Sequence, residues 1–191
     1  MDRIKLHDKF FRLFIPNSKI EEAIENVAER LNRDYKDADT PIFLSVLNGA
    51  FMFTASLMKN IRFNSEIAFV RLASYSGTSS TGKVNRILGL DRNVKDRSII
   101  IIEDIVDTGG TIAELYRILQ EEGAANVKIC TLFLKPGSYR GSIPIDYAAM
   151  EIGNEFIVGY GLDYDQIGRQ YKDIYIIDQA DDCNTAAGRS L

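Results

Sequence analysis

At 191 residues, 46% of them hydrophobic and 26% charged, the chain has the length and composition of one soluble globular domain with its own core. A formal charge of −4 and a pI near 5.1 exclude a general attraction to nucleic-acid backbones or anionic membranes, though not a local basic site. The two cysteines, Cys130 in an apolar run and Cys183 in a polar tail, have no partner at metal-ligand spacing, which argues against a disulfide framework and against a zinc site.

Residues 1–10 carry charges at every second or third position. That pattern lacks the apolar stretch of a signal peptide, and no segment approaches the ~20 apolar residues of a membrane span. A cytoplasmic protein is expected. His7 is the only histidine, and its surroundings suggest a surface residue rather than a catalytic one. A helix is predicted over residues 18–34. Ser18 with Glu21 makes a capping box, Pro16 stands just outside, and Ile20, Ala23, Ile24, Val27, Ala28 and Leu31 form an apolar stripe. The run over residues 41–47 reads as a strand ending at Asn48-Gly49, followed by a helix over residues 51–58 and a strand over 67–72. Residues 74–82 are nearly devoid of apolar side chains. Residues 98–102, four of them isoleucine, read as a central strand buried on both faces. A helix over residues 111–122 stops at Gly123. Strands follow at 127–134, 147–152, 156–158 and 174–177, and the tail after Asp178 reads as frayed. Strand–helix alternation implies an α/β fold with a mostly parallel central sheet flanked by helices. In such sheets ligands sit beyond the carboxyl ends of the strands.

The segment most informative about chemistry is residues 99–111, IIIIEDIVDTGGT. An apolar strand leads to paired acids, a turn rich in Gly and Thr, and a helix start. Glycines let the backbone approach a ligand, and free N–H groups at a helix start bind anions. Thr108 and Thr111 add hydroxyls. The segment has no lysine, so it is not a Walker loop, and it lacks the spacing of a dinucleotide fingerprint. Acids beside a phosphate repel it unless they hold sugar hydroxyls, a metal ion or a developing cation. A ribose 5-phosphate satisfies that condition; a capped helix start with surface acids is the plainer alternative.

Residues 103–111, EDIVDTGGT, resemble the phosphoribosyl pyrophosphate signature of the type I phosphoribosyltransferases, in the variant of the hypoxanthine-guanine phosphoribosyltransferases. The resemblance extends over roughly residues 41–178, with several motifs in the expected order. It implies the type I phosphoribosyltransferase fold over 1–191 as a single domain, with a small hood formed by the N-terminal and C-terminal segments and a mobile tail at 179–191. It implies that Glu103 and Asp104 hold the ribose hydroxyls or a Mg2+ ion, that Asp107, Thr108, Gly109, Gly110 and Thr111 wrap the 5-phosphate, and that Asp107 transfers a proton at purine N7. Lys135 would donate to the purine 6-oxo oxygen, Phe156 would stack on the base, and the Ile157 backbone would contact its edge. Asp163 would attend a magnesium ion and Arg169 would bind pyrophosphate. Asn48 and Gly49 match the short pyrophosphate loop, where relatives commonly carry Leu-Lys-Gly and a cis peptide; here asparagine replaces the lysine. Ser74 and Tyr75 open a segment resembling the active-site loop that excludes water.

The resemblance implies a purine-salvage transferase that joins hypoxanthine or guanine to ribose 5-phosphate, working as a homodimer or homotetramer without nucleic acid or membrane. Two other readings remain: a nucleotide-sensing regulator on the same fold, and a phosphoribosyltransferase for another base. Against the regulator stand the acidic pI and the lack of a basic, aromatic-interleaved patch.

Overall fold

The computed structural model of the chain describes residues 3–37, 40–73, 86–88 and 92–178. In chain order its elements are β1 (Arg3–Leu6), β2 (Lys9–Ile15), α1 (Asn17–Asp34), β3 (Ile42–Val46), α2 (Phe51–Asn60), β4 (Glu66–Ala73), β5 (Arg86–Leu88), β6 (Ser98–Val106), α3 (Gly110–Glu121), β7 (Asn126–Leu134), β8 (Tyr147–Glu151), β9 (Ile157–Val158) and β10 (Ile174–Ile177). Among the described residues ten strands fall into a six-stranded sheet, order β5-β4-β3-β6-β7-β8, and a four-stranded sheet, order β1-β2-β10-β9. Strands β4, β3, β6, β7 and β8 run parallel, and β5 joins the edge antiparallel to β4.

The apolar runs become central strands because both sheet faces are covered. Every residue of β3 is buried, and Ile99 to Ile102 on β6 are fully so. On one face Ile100, Ile102 and Phe43 pack with Ile20, Ile24 and Leu31 of α1 and Phe53 and Leu57 of α2. On the other, Ile99, Ile101 and Leu44 pack with Ile112, Leu115 and Leu119 of α3. Each such side chain contributes roughly 1.5–3 kcal/mol by leaving water. Asn32 is a buried polar residue on α1. Its amide donates to Asn60 O and accepts from Arg62 N, which satisfies the carboxyl end of α2.

Three features differ from the sequence reading. Helix α1 begins at Asn17, and neither Pro16 nor Ser18 caps it with a side chain. Instead the Asn17 N–H donates to Asp173 Oδ1 at 2.8 Å and the Asn17 amide to Glu21 at 3.3 Å, so the cap comes from the far end of the chain. Strand β6 runs on through Val106, because Glu103, Ile105 and Val106 stay in register with Thr131, Phe133 and Leu134 of β7. The paired acids therefore belong to the strand and not to the turn. The charged N-terminus is a hairpin in which Ile4 and Leu6 are buried and Arg3 and Lys5 exposed. Its β2 pairs with β10, building the small sheet from both ends of the described chain.

Order along the large sheet fixes where a ligand can enter. From β3 the chain moves outward to β4 and β5, then returns past β3 to β6, β7 and β8. The direction reverses between β3 and β6, and a crevice opens outside the carboxyl ends of strands at such a switch point. The segments leaving those two strands are residues 47–49 and 107–111.

Candidate active site

At the end of β3 the Leu47–Asn48 peptide is cis. Gly49 lies so close to β6 that a Cβ there would overlap the Asp104 carboxylate. On the other side Gly161, with φ +99°, sits on the Gly49 carbonyl with no room for a Cβ. Asp104, Gly49 and Gly161 thus form one stack across three chain segments. A side chain at either glycine would pry it apart.

Adjacent residues on a strand point to opposite sides, and the paired acids separate accordingly. Glu103 lines a cavity of about 230 Å³ bounded by Ile105 to Ile112, while Asp104 turns to Gly49. Burial pushes the Asp104 carboxyl up to about 6, partly offset by the backbone N–H groups of Ile105 and of Asp104 itself and by Arg169, with Asp163 adding repulsion. Glu103, 6% exposed, is raised well above the usual carboxylate range by burial and by Asp104, and its Oε2 has no hydrogen-bond partner among the described residues. A buried orphan oxygen costs free energy that a donor from a ligand would return.

The sign of the Asp104 effect is testable. A carboxyl whose folded value is raised holds its proton longer in the folded chain than in the unfolded one, so stability falls as pH rises from 3.8 to about 6 and is level above. Above that window the ionised form costs on the order of 2–3 kcal/mol. Asp104→Asn should therefore melt higher than wild type at pH 7, with the gain shrinking to nothing near pH 4. Melting curves of both proteins from pH 4 to 8 would show this; a gain independent of pH would remove the assignment.

The turn after β6 has the build of a cradle that an anion would fit. Gly109 adopts φ +91° ahead of α3, and no side chain caps the helix. The ring of Tyr139 fills the space a Gly109 Cβ would need, whereas a Cβ at Gly110 would meet open space. Packing within the protein explains glycine at 109 but not at 110. At 110 the bare backbone suits the close approach of a ligand to the helix amino end, beside Thr108 and Thr111. The Tyr139 hydroxyl donates to Ile143 O at 2.5 Å, and Arg140 N donates to Thr108 O at 3.4 Å, bracing the turn from the β7 side.

Lys135 follows β7, its N–H bonded to Val106 O. It is 7% exposed, and its Nζ donates to Asp107 Oδ2 at 2.9 Å. The Asp107 carboxyl, whose side chain is 47% exposed, is held below the usual range by that bond, by the Lys135 charge and by Ser138. Phe156 is exposed and touches Tyr164 edge-on at 5.9 Å between ring centroids, leaving ring surface for another planar group. Ile157 is buried on β9. The Arg169 guanidinium pairs with Asp163 at 2.7 Å and donates to Gly161 O at 2.7 Å, which places it beside the Gly49 stack. Ser74 and Tyr75 lie outside the described residues.

Of the residues singled out from sequence, Gly49, Asp104, Asp163 and Arg169 gather at one side of the crevice, and Glu103 with the 107–111 turn, Asp107 and Lys135 at the other. The sequence gives no role to Tyr139 or, within the stretch at 156–164, to Gly159, Tyr160 and Gly161. The paired glycines were a usable signal for the loop; nothing local marked Tyr139. A larger cavity of about 670 Å³, lined by Glu29, Asn32, Arg33, Lys36 and others, lies at the amino ends of the strands, away from these groups.

The model of the phosphoribosyl transferase domain family matches residues 15–165. A hypoxanthine-guanine phosphoribosyltransferase of Streptococcus pyogenes is 43% identical over 141 residues, covering 73% of this chain and 78% of that protein. One of Lactococcus lactis is 40% identical over 156 residues, covering 81% and 84%. Among solved structures, a Bacillus anthracis hypoxanthine-guanine phosphoribosyltransferase superposes with a TM-score of 0.76 at 29% identity, over 87% of this chain and 98% of that one. A hypoxanthine phosphoribosyltransferase mutant of Trypanosoma cruzi, solved with the product IMP, gives 0.78 at 28% identity over 98% and 100%.

Proposed function

Because this chain belongs to the phosphoribosyltransferases, and within them to the hypoxanthine-guanine phosphoribosyltransferases, we propose that it converts hypoxanthine or guanine and phosphoribosyl pyrophosphate to the nucleoside monophosphate and pyrophosphate. The observation that carries the reading is the pairing of Lys135 with Asp107 at the mouth of the anion cradle. One group suits a 6-oxo oxygen, the other a purine N–H, and both stand beside a seat for the sugar phosphate.

The 5-phosphate would rest on residues 107–111 at the amino end of α3, with the ribose hydroxyls donating to Glu103 and Asp104. Purine N9 attacks C1′ of the sugar, the bond from C1′ to the pyrophosphate oxygen breaks, and the leaving group takes the electron pair. Carboxylates near the sugar favour the positive charge that develops there. Asp107 takes the proton the purine gives up, a role worth roughly 10²–10⁴-fold. Binding of the base would itself prepare that step. Once the 6-oxo oxygen draws on Lys135 Nζ, the bond that holds the Asp107 carboxyl low is weakened and its basicity rises. The 6-amino group of adenine offers no acceptor to that ammonium. Phe156 would stack on the base, for roughly 1–3 kcal/mol, with the Ile157 backbone at its edge. Arg169, Asn48 and Gly49 would hold pyrophosphate, the guanidinium as a fork.

Among the described residues no group of three or more His, Cys, Asp or Glu could hold a metal ion by itself. The acids present fit Mg2+ carried in on the pyrophosphate, since that ion commonly uses one or two carboxylates together with phosphates and water. Asp163 and Asp104 would hold it, and Glu103, which the strand turns to its opposite side beside the 105–112 cavity, would be left to the ribose. When bound it neutralises charge on the leaving group. The small sheet would serve as the hood of a single domain. Assembly into a homodimer or homotetramer belongs to the same reading, and the exposed Phe51 and Phe69 offer apolar surface for a second copy. Among the described residues no helix is long and apolar enough to cross a membrane, and we place the protein in the cytoplasm.

Incubating the protein with labelled phosphoribosyl pyrophosphate, Mg2+ and each of hypoxanthine, guanine, xanthine, adenine, uracil and orotate tests the whole reading. Nucleotide should form with 6-oxopurines and not with adenine or the pyrimidines. Product from uracil or orotate instead, or from no base, would overturn it.

A further inference from the structure

We propose that Tyr160 is a positioning residue for the pyrophosphate half of the site; this rests on the function proposed above and names a residue for which that function supplies no role. Tyr160 is 2% exposed. Its hydroxyl lies 2.6 Å from Glu21 Oε1 on α1 and 2.8 Å from Ser56 Oγ on α2. The phenol therefore pins its loop to the two helices that cover one face of the large sheet.

The loop it pins is an improbable one. Gly159, Tyr160 and Gly161 all have positive φ, at +99°, +48° and +99°. A residue with a Cβ in that region is held at a cost and persists where its surroundings over-determine it. Here the buried ring, the two contacts of its hydroxyl and the bond from Tyr160 N to Tyr171 O at 2.7 Å do so. A Cβ at Gly159 would collide with the Asp173 carbonyl and one at Gly161 with that of Gly49, so the loop tolerates only glycine on either side of the tyrosine.

What the loop delivers is specific to one substrate. Gly161 N donates to Arg169 O at 3.0 Å, Gly161 O accepts from Arg169 Nη1 at 2.7 Å, and the same residue sits on Gly49. Position 161 thus sets both the guanidinium and the 47–49 loop. The purine-facing groups are held by other means. Lys135 and Asp107 follow β7 and β6, which pair with each other along most of their length, and Ile157 is fixed by pairing with Ile176. Loosening Tyr160 should therefore disturb pyrophosphate contacts and spare the base.

Tyr160→Phe removes the hydroxyl and leaves the ring. Its KM for phosphoribosyl pyrophosphate, and its dissociation constant for pyrophosphate with Mg2+, should rise by roughly 3–10-fold as the hydroxyl's contacts with Glu21 and Ser56 are lost, while KM and binding of hypoxanthine stay within twofold of wild type. Glu21→Ala should reproduce the split without touching the tyrosine and serves in its place if Tyr160→Phe does not fold, and Glu21→Gln, which keeps an acceptor, should restore wild-type values. Equal changes for both substrates, no change for either, or a lowered melting temperature with unaltered pyrophosphate affinity would overturn the proposal. Binding is read without turnover, so an active wild type with an unaffected Tyr160→Phe sinks this inference alone. A wild type that binds neither ligand sinks the functional reading beneath it.

Discussion

Asp107→Asn is expected to lower turnover with hypoxanthine by roughly 10²–10⁴-fold while leaving the melting temperature at pH 7 within roughly 2 °C of wild type. The asparagine oxygen can still accept from Lys135 Nζ, which reaches Asp107 at 2.9 Å, so the buried ammonium is not orphaned. What is lost is the ability to take up a proton. The stability that Asp107 draws from Lys135 is small because its side chain is half exposed and solvent screens the pair. Its carboxyl is held low, so whatever the pair contributes is present at neutral pH and fades only as pH falls below the ordinary carboxylate value of 3.8. Single-turnover rates and melts on one preparation decide the matter. Unimpaired turnover would remove Asp107 from the chemistry; a collapsed fold would show the residue to be structural.

A second large effect is expected from Gly161→Ala. The residue lies at φ +99°, and a Cβ would collide with the Gly49 carbonyl, a backbone atom that no rotamer change can move aside. Left-handed strain and that collision together should cost roughly 3 kcal/mol or more, a fall in melting temperature of about 6–12 °C. Whatever protein folds should lose roughly 10²-fold in activity, since the backbone that holds Arg169 in place is displaced. Gly110→Ala is the control: a Cβ there meets open space, so melting should be unchanged while affinity for phosphoribosyl pyrophosphate falls. If the two variants melted alike, the argument from crowding at position 161 would be wrong.

Much of the large sheet could be read from the chain, because strands covered on both faces, such as residues 98–102, become unbroken apolar runs, and α1 carries a full stripe from Ile20 to Leu31. The parts that escaped depend on partners far away in sequence. Ser18 looked like a cap, but Asp173 reaches the helix start first. The hairpin at the amino end alternates over only four residues in β1, too few to outweigh its charges. The acids at 103 and 104 seemed to mark the end of a strand, yet β7 keeps pairing past them, and burial raises both carboxyls. For the candidate site, residue types and order pointed to the turn at 107–111, Lys135 and the aromatic at 156. The contacts of Tyr160 span 139 positions to Glu21, and Tyr139 packs on Gly109 from another strand's end. No window of sequence contains both partners of such contacts.

The placement of β10 has a consequence for how the molecule is made. This strand lies between β2 and β9, so residues 174–177 are an inner member of a sheet whose other strands are all synthesised earlier. While the ribosome is still extending the chain, the hairpin of β1 and β2 has one edge open and β9 has no partner. The parallel sheet, whose strands are all made by residue 151, can assemble first. Sequence-distant pairing of this kind is slow to close. Asp163 and Arg169, carried between β9 and β10, therefore come to rest last, after the turn at 107–111 is already standing.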